Sequence, residues 1–166
     1  MKRVFWDNAA TTPLDPLVMD AMVEAMKNYP GNPSSIHAEG RAARAAIEQA
    51  RKKVANFLGA SIGEIFFTSG GTESNNTALK CAVRDLGVQR IISSPTEHHC
   101  VLHSLEALDH YQNTTIEYVR LDERGHPDME HLESMLSQGK VKTLVSLMHS
   151  NNEVGTMIDL AEVSSL

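Results

Sequence analysis

The chain has 166 residues, of which 42% are hydrophobic and 22% are charged, as is typical of a globular protein of about one domain. Its formal net charge of -6 opposes the electrostatic attraction that drives most nucleic-acid binding, so DNA and RNA are poor candidate ligands. No run approaches the roughly 20 apolar residues of a membrane span, and the start lacks the features of a signal peptide. We therefore expect a cytoplasmic protein that neither spans a membrane nor binds nucleic acid.

The first third of the chain predicts two helices. Asp15 and Pro16 form a capping pair, and the apolar spacing after them predicts a helix that ends near Asn28. A loop rich in proline and glycine follows at residues 30–35, and an apolar stripe over residues 43–58 predicts the second helix.

Beyond Gly59, short β-rich runs alternate with amphipathic helical patterns. The predicted strands cover residues 64–68, 90–93, 115–120 and 142–149. The predicted helices cover residues 72–85, 99–111 and 128–137, the last opened by an Asp cap and closed by Gly139, and a further helical pattern starts at Leu160. This alternation predicts an α/β fold with three layers, in which helices flank a mainly parallel sheet.

The first candidate site is the pair of glycines after the apolar run that ends at Thr68. Gly70 and Gly71 let a ligand approach the backbone, the first helical turn offers free N–H groups, and Thr72 adds a hydroxyl. These features suit a phosphate. The alternative is a plain strand-to-helix turn capped by Thr72, because the spacing is neither a Walker nor a dinucleotide fingerprint.

The second candidate is His98, which follows the strand at residues 90–93. Loops at the carboxyl ends of strands line the binding crevice of α/β sheets, so this imidazole is placed to stack on a ligand ring or to transfer protons. A solvated helix start is the plainer interpretation. A metal site remains a further alternative, because His99 and His103 lie four residues apart beside Cys100, although no zinc motif accompanies them.

The third candidate is Asn152, in the polar run after the strand at residues 142–149. Two consecutive amides before a glycine are also typical of a simple Asx-turn. However, all three polar clusters leave the predicted sheet at the same edge and supply an anion cradle, an aromatic base and an amide. Their convergence favours a shared binding site.

Five separated motifs resemble, in order and spacing, the cysteine desulfurases of the NifS and IscS type. They are WDNAATTP at 6–13, GNPSSIH at 31–37, FTSGGTES at 67–74, TEH at 96–98 and MHSNNEVG at 148–155. The resemblance covers the whole chain.

The resemblance implies a pyridoxal 5'-phosphate (PLP) enzyme of fold type I in the class V aminotransferase group, normally a homodimer. Such an enzyme removes sulfur from L-cysteine, leaves L-alanine and passes a persulfide to an acceptor scaffold for iron-sulfur cluster or thiocofactor assembly. By the same resemblance, Gly71 and Thr72 bind the cofactor phosphate. His98 stacks on the pyridine ring and moves protons, and Asn152 contacts the phenolic side.

The resemblance also implies which parts this chain does not supply. The Schiff-base lysine, the aspartate at the ring nitrogen and the persulfide cysteine of the family lie beyond Leu166. We therefore expect residues 1–14 to be an amino-terminal segment that packs with the small domain, and residues 15–166 to be the first part of an incomplete large domain. We expect this chain to be inactive alone, with Cys81 and Cys100 as free thiols and no resident metal.

Two alternatives remain open at this point. One is a selenocysteine lyase or another class V enzyme, because the amino-terminal half carries little of the substrate discrimination. The other is a non-catalytic dimerising fragment, whose incomplete sheet would expose an unpaired edge.

Overall fold

The structure is a computed structural model that describes residues 3–112 and 114–166. It divides into two compact units, one up to Phe67 and the other from Thr68 onward. The helices are α1 Pro16–Asn28, α2 Ala38–Leu58, α3 Gly71–Leu86, α4 His99–Gln112, α5 Met129–Ser137 and α6 Leu160–Ser165, with a 3-10 turn at Ile62–Glu64. The strands are β1 Arg90–Ser93, β2 Thr115–Tyr118 and β3 Thr143–Ser146. No helix among the described residues has the length and apolar character needed to cross a bilayer.

The first unit is built from α1, α2 and the loop between them. Asp15 caps α1 by accepting a hydrogen bond from the Leu17 N–H at 2.8 Å, as the sequence predicted. Gly40, in the first turn of α2, lies against this loop. A Cβ at this position would be 2.5 Å from the carbonyl oxygen of Ser35 and 2.6 Å from that of Asn32, so only glycine allows the close approach.

The predicted strand at residues 64–68 does not form. Ser61 and Glu64 make a capping box that folds residues 62–64 into a 3-10 turn, and the extended residues after it pair with no described strand. Arg51 of α2 instead donates to the Ile65 carbonyl, and its guanidinium carbon lies 5.0 Å from the centre of the Phe67 ring. The β-rich composition was a correct indication of extended backbone, but the prediction of a strand was wrong because no partner strand supplies the ladder.

The second unit contains a three-stranded parallel sheet in the order β2-β1-β3. Central β1 pairs Arg90 with Thr115 on one side and with Thr143 on the other. All three strands run in the same direction, so their carboxyl ends meet at one edge of the sheet. Here β1 matches its prediction, whereas β2 and β3 are shorter than their predicted ranges.

Helices cover both faces of this sheet, which confirms the predicted α/β class. The alternation of side chains along β1 sends Ile91 to one face and Ile92 to the other, and both are fully buried. Ile91 packs with the buried face of α3 and α4, and Ile92 packs with Leu132 of α5. The other buried residues of the first cluster are Leu79, Ala82, Val88, Val101, Leu105 and Leu108.

Arg90 fixes the amino-terminal edge of the sheet. Its guanidinium donates to Thr143 Oγ1 at 3.1 Å and to the Met135 carbonyl at 3.0 Å, and it lies 3.4 Å from the Glu117 carboxylate. Gly139 lies directly against it, since a Cβ there would be 2.7 Å from an Arg90 nitrogen. Helix α5 does end before Gly139 as predicted, but this glycine makes room for the arginine rather than adopting a positive φ.

Candidate functional site

Two of the three predicted polar clusters leave the carboxyl edge of the sheet on neighbouring strands. Residues 94–98 connect β1 to α4, and residues 147–159 follow β3. The pairing of β1 with β3 brings the starts of these two loops together, and the Ser93 hydroxyl donates to the Ser146 carbonyl at 2.9 Å. The two loops therefore begin side by side at the carboxyl edge of the sheet, where α/β proteins commonly bind ligands.

Glu97 joins the two loops from a buried position. Only 9% of the residue is exposed, and its carboxylate accepts a hydrogen bond from the Met148 N–H. Burial raises the pKa of the Glu97 carboxyl, and the hydrogen bond from Met148 opposes that rise. Because Glu97 directly precedes His98, this hydrogen bond holds the backbone at His98 close to the loop that carries Asn152.

Asn151 makes a second connection between the loops and also organises its own. Its side-chain amide donates to the Thr96 carbonyl at 2.8 Å, while its side-chain oxygen accepts from the N–H groups of Glu153 and Val154. The Asx-turn that the sequence allowed as an alternative is thus present, and Asn151 forms it. The neighbouring Asn152 side chain is exposed and makes no hydrogen bond to any described residue. Its amide is therefore available to a ligand.

His98 is exposed and oriented by its own helix. Its Nδ1 accepts a hydrogen bond from the Cys100 N–H at 3.1 Å, so the ring caps the first turn of α4. A neutral imidazole that accepts at Nδ1 carries its proton on Nε2. The Nε2–H group is left for solvent or a ligand.

The first turn of α3 has no side-chain cap. Gly70 occupies the N-cap position, and the N–H groups of the first turn, which precede the first backbone bond from Ser74 to Gly70, have no helical partners. The Thr72 hydroxyl is also without a protein partner among the described residues. The sequence alternative of a turn capped by Thr72 is therefore not the arrangement observed.

Glu73, the acidic residue of this turn, is hydrogen-bonded to the preceding loop. The Glu73 carboxylate accepts from both the N–H and the hydroxyl of Ser69 at 2.7 Å, and these bonds lower the pKa of Glu73. Ser74 is held in turn by the Thr68 hydroxyl at 2.7 Å. The loop before α3 is thus shaped by its own side chains, while the donors of the first turn remain open.

A further contact places the start of α3 beside the start of α4. The Asn75 amide donates to the Cys100 sulfur at 3.3 Å, which links the second turn of α3 to the first turn of α4. Gly71 and Thr72 lie one turn from Asn75, and His98 lies two residues before Cys100. Hydrogen bonds therefore link the segments that carry the predicted site residues. The start of α3 is bonded to the start of α4, and the loop before α4 is bonded to the loop after β3.

Four residues of this framework were not assigned a role from the sequence: Asn75, Glu97, Cys100 in its accepting role, and Asn151. Only Glu97 gives a sequence signal, since a carboxylate between a buried strand and a polar loop is costly to bury unless it accepts a hydrogen bond. The others act through contacts that depend on tertiary packing. Both cysteines are free thiols, as expected.

Comparisons with known proteins identify the family. The aminotransferase class-V family matches residues 4–166. A cysteine desulfurase IscS from Dictyoglomus turgidum is 46% identical over 172 aligned residues, and the alignment covers 100% of this chain and 42% of that protein.

Solved structures agree. The structure of a NifS-like protein matches with a TM-score of 0.90 at 40% identity, over 99% of this chain and 45% of the other. That of SspA in complex with cysteine matches with a TM-score of 0.84 at 33% identity, over 97% of this chain and 46% of the other. The chain spans less than half the length of these relatives. It belongs to the aminotransferase class-V family and is homologous to the cysteine desulfurases of the NifS and IscS type.

Proposed function

We propose that this chain forms the phosphate and ring-binding part of a PLP-dependent cysteine desulfurase. The observation that carries the proposal is a set of open groups on connected segments: the uncapped first turn of α3, the exposed imidazole of His98 and the amide of Asn152, which bonds to no described residue. Its homology to cysteine desulfurases supports L-cysteine as the substrate.

The residues fit the phosphate of PLP. A Cβ added at Gly70 or Gly71 would meet no atom of a described residue outside its own helical turn within 4 Å, and neither glycine has a backbone conformation that excludes other residues. The chain itself thus gives no reason for two glycines, whereas an anion that must approach the backbone closely does. The N–H groups of residues 71 and 72 and the Thr72 hydroxyl would hold the phosphate.

The other residues would position the ring. His98 would lie against the pyridine face and hold or pass a proton through Nε2, and Asn152 would donate its amide to the phenolic oxygen. When bound, PLP supplies an electron-withdrawing ring that stabilises negative charge on the substrate carbon. Glu97 and Asn151 would hold His98 and Asn152 in fixed relative positions, because they join the two loops that carry these residues.

We further propose that residues 1–166 alone do not turn over L-cysteine. The three segments of the site, residues 68–76, 94–99 and 148–157, contain no lysine to form a Schiff base. In the whole protein we propose a cytoplasmic homodimer that yields L-alanine and passes sulfur to an acceptor protein. The assignment of residues 1–14 to a separate segment and 15–166 to the large domain is part of the same proposal.

A chimera tests the function. Residues 1–166 would replace the matching segment of the Dictyoglomus turgidum IscS protein, and sulfide and L-alanine would be measured with PLP and L-cysteine. We expect the chimera to be active, and the isolated 166-residue chain to be inactive under the same conditions.

The matched variants are His98→Ala and His99→Ala in the chimera. We expect a loss of roughly 100-fold or more for the first, since general acid-base groups contribute about 10²–10⁴-fold, and less than about threefold for the second. A folded, PLP-loaded chimera that makes no sulfide, or equal losses in the two variants, would refute the assignment.

A further inference from the structure

We propose that His99 and His103 form a surface binding site for a divalent transition-metal ion of the Ni²⁺, Cu²⁺ and Zn²⁺ class. The two residues lie one turn apart on the same face of α4, and their ring centres are 5.8 Å apart with a tilt of 31°. Two histidines at positions i and i+4 of a helix can bind one ion together. This inference does not depend on PLP.

Both rings are available to a ligand. Each residue is exposed, and neither makes a hydrogen bond to any residue that the structure describes. The centre of the His99 ring lies 6.4 Å from that of His98 and 5.8 Å from that of His103. No described protein group therefore competes with an ion for their ring nitrogens.

The ring separation is close to that required by a shared ion. With metal–nitrogen distances of about 2.0–2.1 Å and a tetrahedral angle, two imidazole centres lie roughly 5 Å apart. A small rotation of either exposed side chain would bring the ring centres from the observed 5.8 Å to this distance. Backbone movement is not required, because α4 already sets the spacing.

The surroundings favour a cation. Glu106 and Asp109 border the same surface depression as His103, and the chain has a net charge of -6. Cys100 does not contribute, since its sulfur accepts a hydrogen bond from Asn75 on α3. No group of three or more His, Cys, Asp or Glu residues in the described part of the chain is arranged as a metal cage. The site thus has two protein ligands, with water at the remaining positions, and imidazole selects the late divalent ions over Mg²⁺ and Ca²⁺.

The test is calorimetric titration of the tag-free chain with nickel sulfate alone. We expect one ion per chain, and a loss of affinity of roughly tenfold or more in His99→Ala and in His103→Ala, because each removes the chelate advantage of the second ligand. The control is His126→Ala, which removes a partly exposed histidine on the loop after β2 and should leave the affinity unchanged. Magnesium chloride should give no heat beyond dilution.

Circular dichroism of each variant checks that α4 is intact, as expected for exposed positions. Failure of the unmodified chain to bind Ni²⁺, or equal affinity in the unmodified chain and the His99→Ala/His103→Ala double variant, would overturn the proposal. If His98→Ala abolishes binding while the double variant retains it, the ion binds at His98 and not between His99 and His103, and the proposed pair is wrong.

Discussion

At the scale of single residues, Thr72 gives the most direct test of the phosphate cradle. Its hydroxyl has no partner among the described residues, so a valine of similar shape removes a donor without disturbing the fold. A hydrogen bond to a charged group is worth about 1.5 kcal/mol or more, which predicts roughly tenfold weaker binding of the ligand. Pyridoxamine 5'-phosphate is the suitable probe, because it cannot form a Schiff base with surface lysines, and its fluorescence reports binding.

The control for this measurement is Thr77→Val, further along α3 and outside the first turn. The cradle assignment fails if Thr72→Val and Thr77→Val bind the probe as tightly as the unmodified chain.

Glu97 makes a prediction about pH. Because burial raises its pKa above the ordinary value of 4.5, the ionised form is disfavoured in the fold. Its contribution to stability is fully present below that value and is lost as the pH rises through the folded-state pKa. Glu97→Gln cannot ionise and keeps an oxygen for the Met148 N–H, so its stability relative to the unmodified chain should rise as the pH increases above 4.5.

Urea denaturation at several pH values measures this difference. Glu97→Ala provides the contrast, since it leaves the Met148 N–H unpaired and should be less stable than Glu97→Gln by about 1–3 kcal/mol at every pH, because neither variant ionises at this position. A stability difference between Glu97→Gln and the unmodified chain that does not change with pH would contradict the interpretation.

The site residues differ in how far sequence could predict them. Gly71, Thr72, His98 and Asn152 were proposed from chemistry at strand ends and from motif resemblance, and their roles in cofactor binding remain predictions. The hydrogen-bond partners of Glu97 and Asn151 could not be assigned from sequence. These partners, Met148 and Thr96, are about 50 residues away along the chain and are brought close by the parallel pairing of β1 with β3.

At the scale of elements, Gly40 tests why α2 begins where it does. Alanine there would place a Cβ within 2.6 Å of two backbone oxygens of the preceding loop. Backbone atoms cannot relieve this clash by rotating away, as the end of a flexible side chain could. We expect a loss of about 1–3 kcal/mol, the usual cost of overpacking, seen as a lower thermal midpoint by far-UV circular dichroism. Gly63→Ala is the matched control, because a Cβ at Gly63 meets nothing within 4 Å, and equal effects would contradict the proposed crowding.

The elements show why pattern alone predicts helices better than strands. Helix α1 begins and ends as predicted because Asp15, Pro16 and the apolar spacing are local signals. Residues 64–68 have equally clear β-rich composition, yet they form no ladder, since a strand is completed only by a partner elsewhere in the chain. The capping box of Ser61 and Glu64 was a local signal that could have placed the 3-10 turn.

At the scale of the whole molecule, the two compact units should differ in stability. The buried apolar residues of the first unit are Ala43 and Ala55, whereas the second buries large side chains on both faces of its sheet, including Ile91, Ile92 and Leu105. Burial of one such side chain contributes about 1.5–3 kcal/mol, so the second unit has far more apolar stabilisation. Native-state hydrogen exchange should therefore give a lower opening free energy for the amides of α2 than for those of β1 and α4. Peptides from α2 that exchange as slowly as peptides from β1 would show that the first unit draws stability from a source other than its own buried side chains.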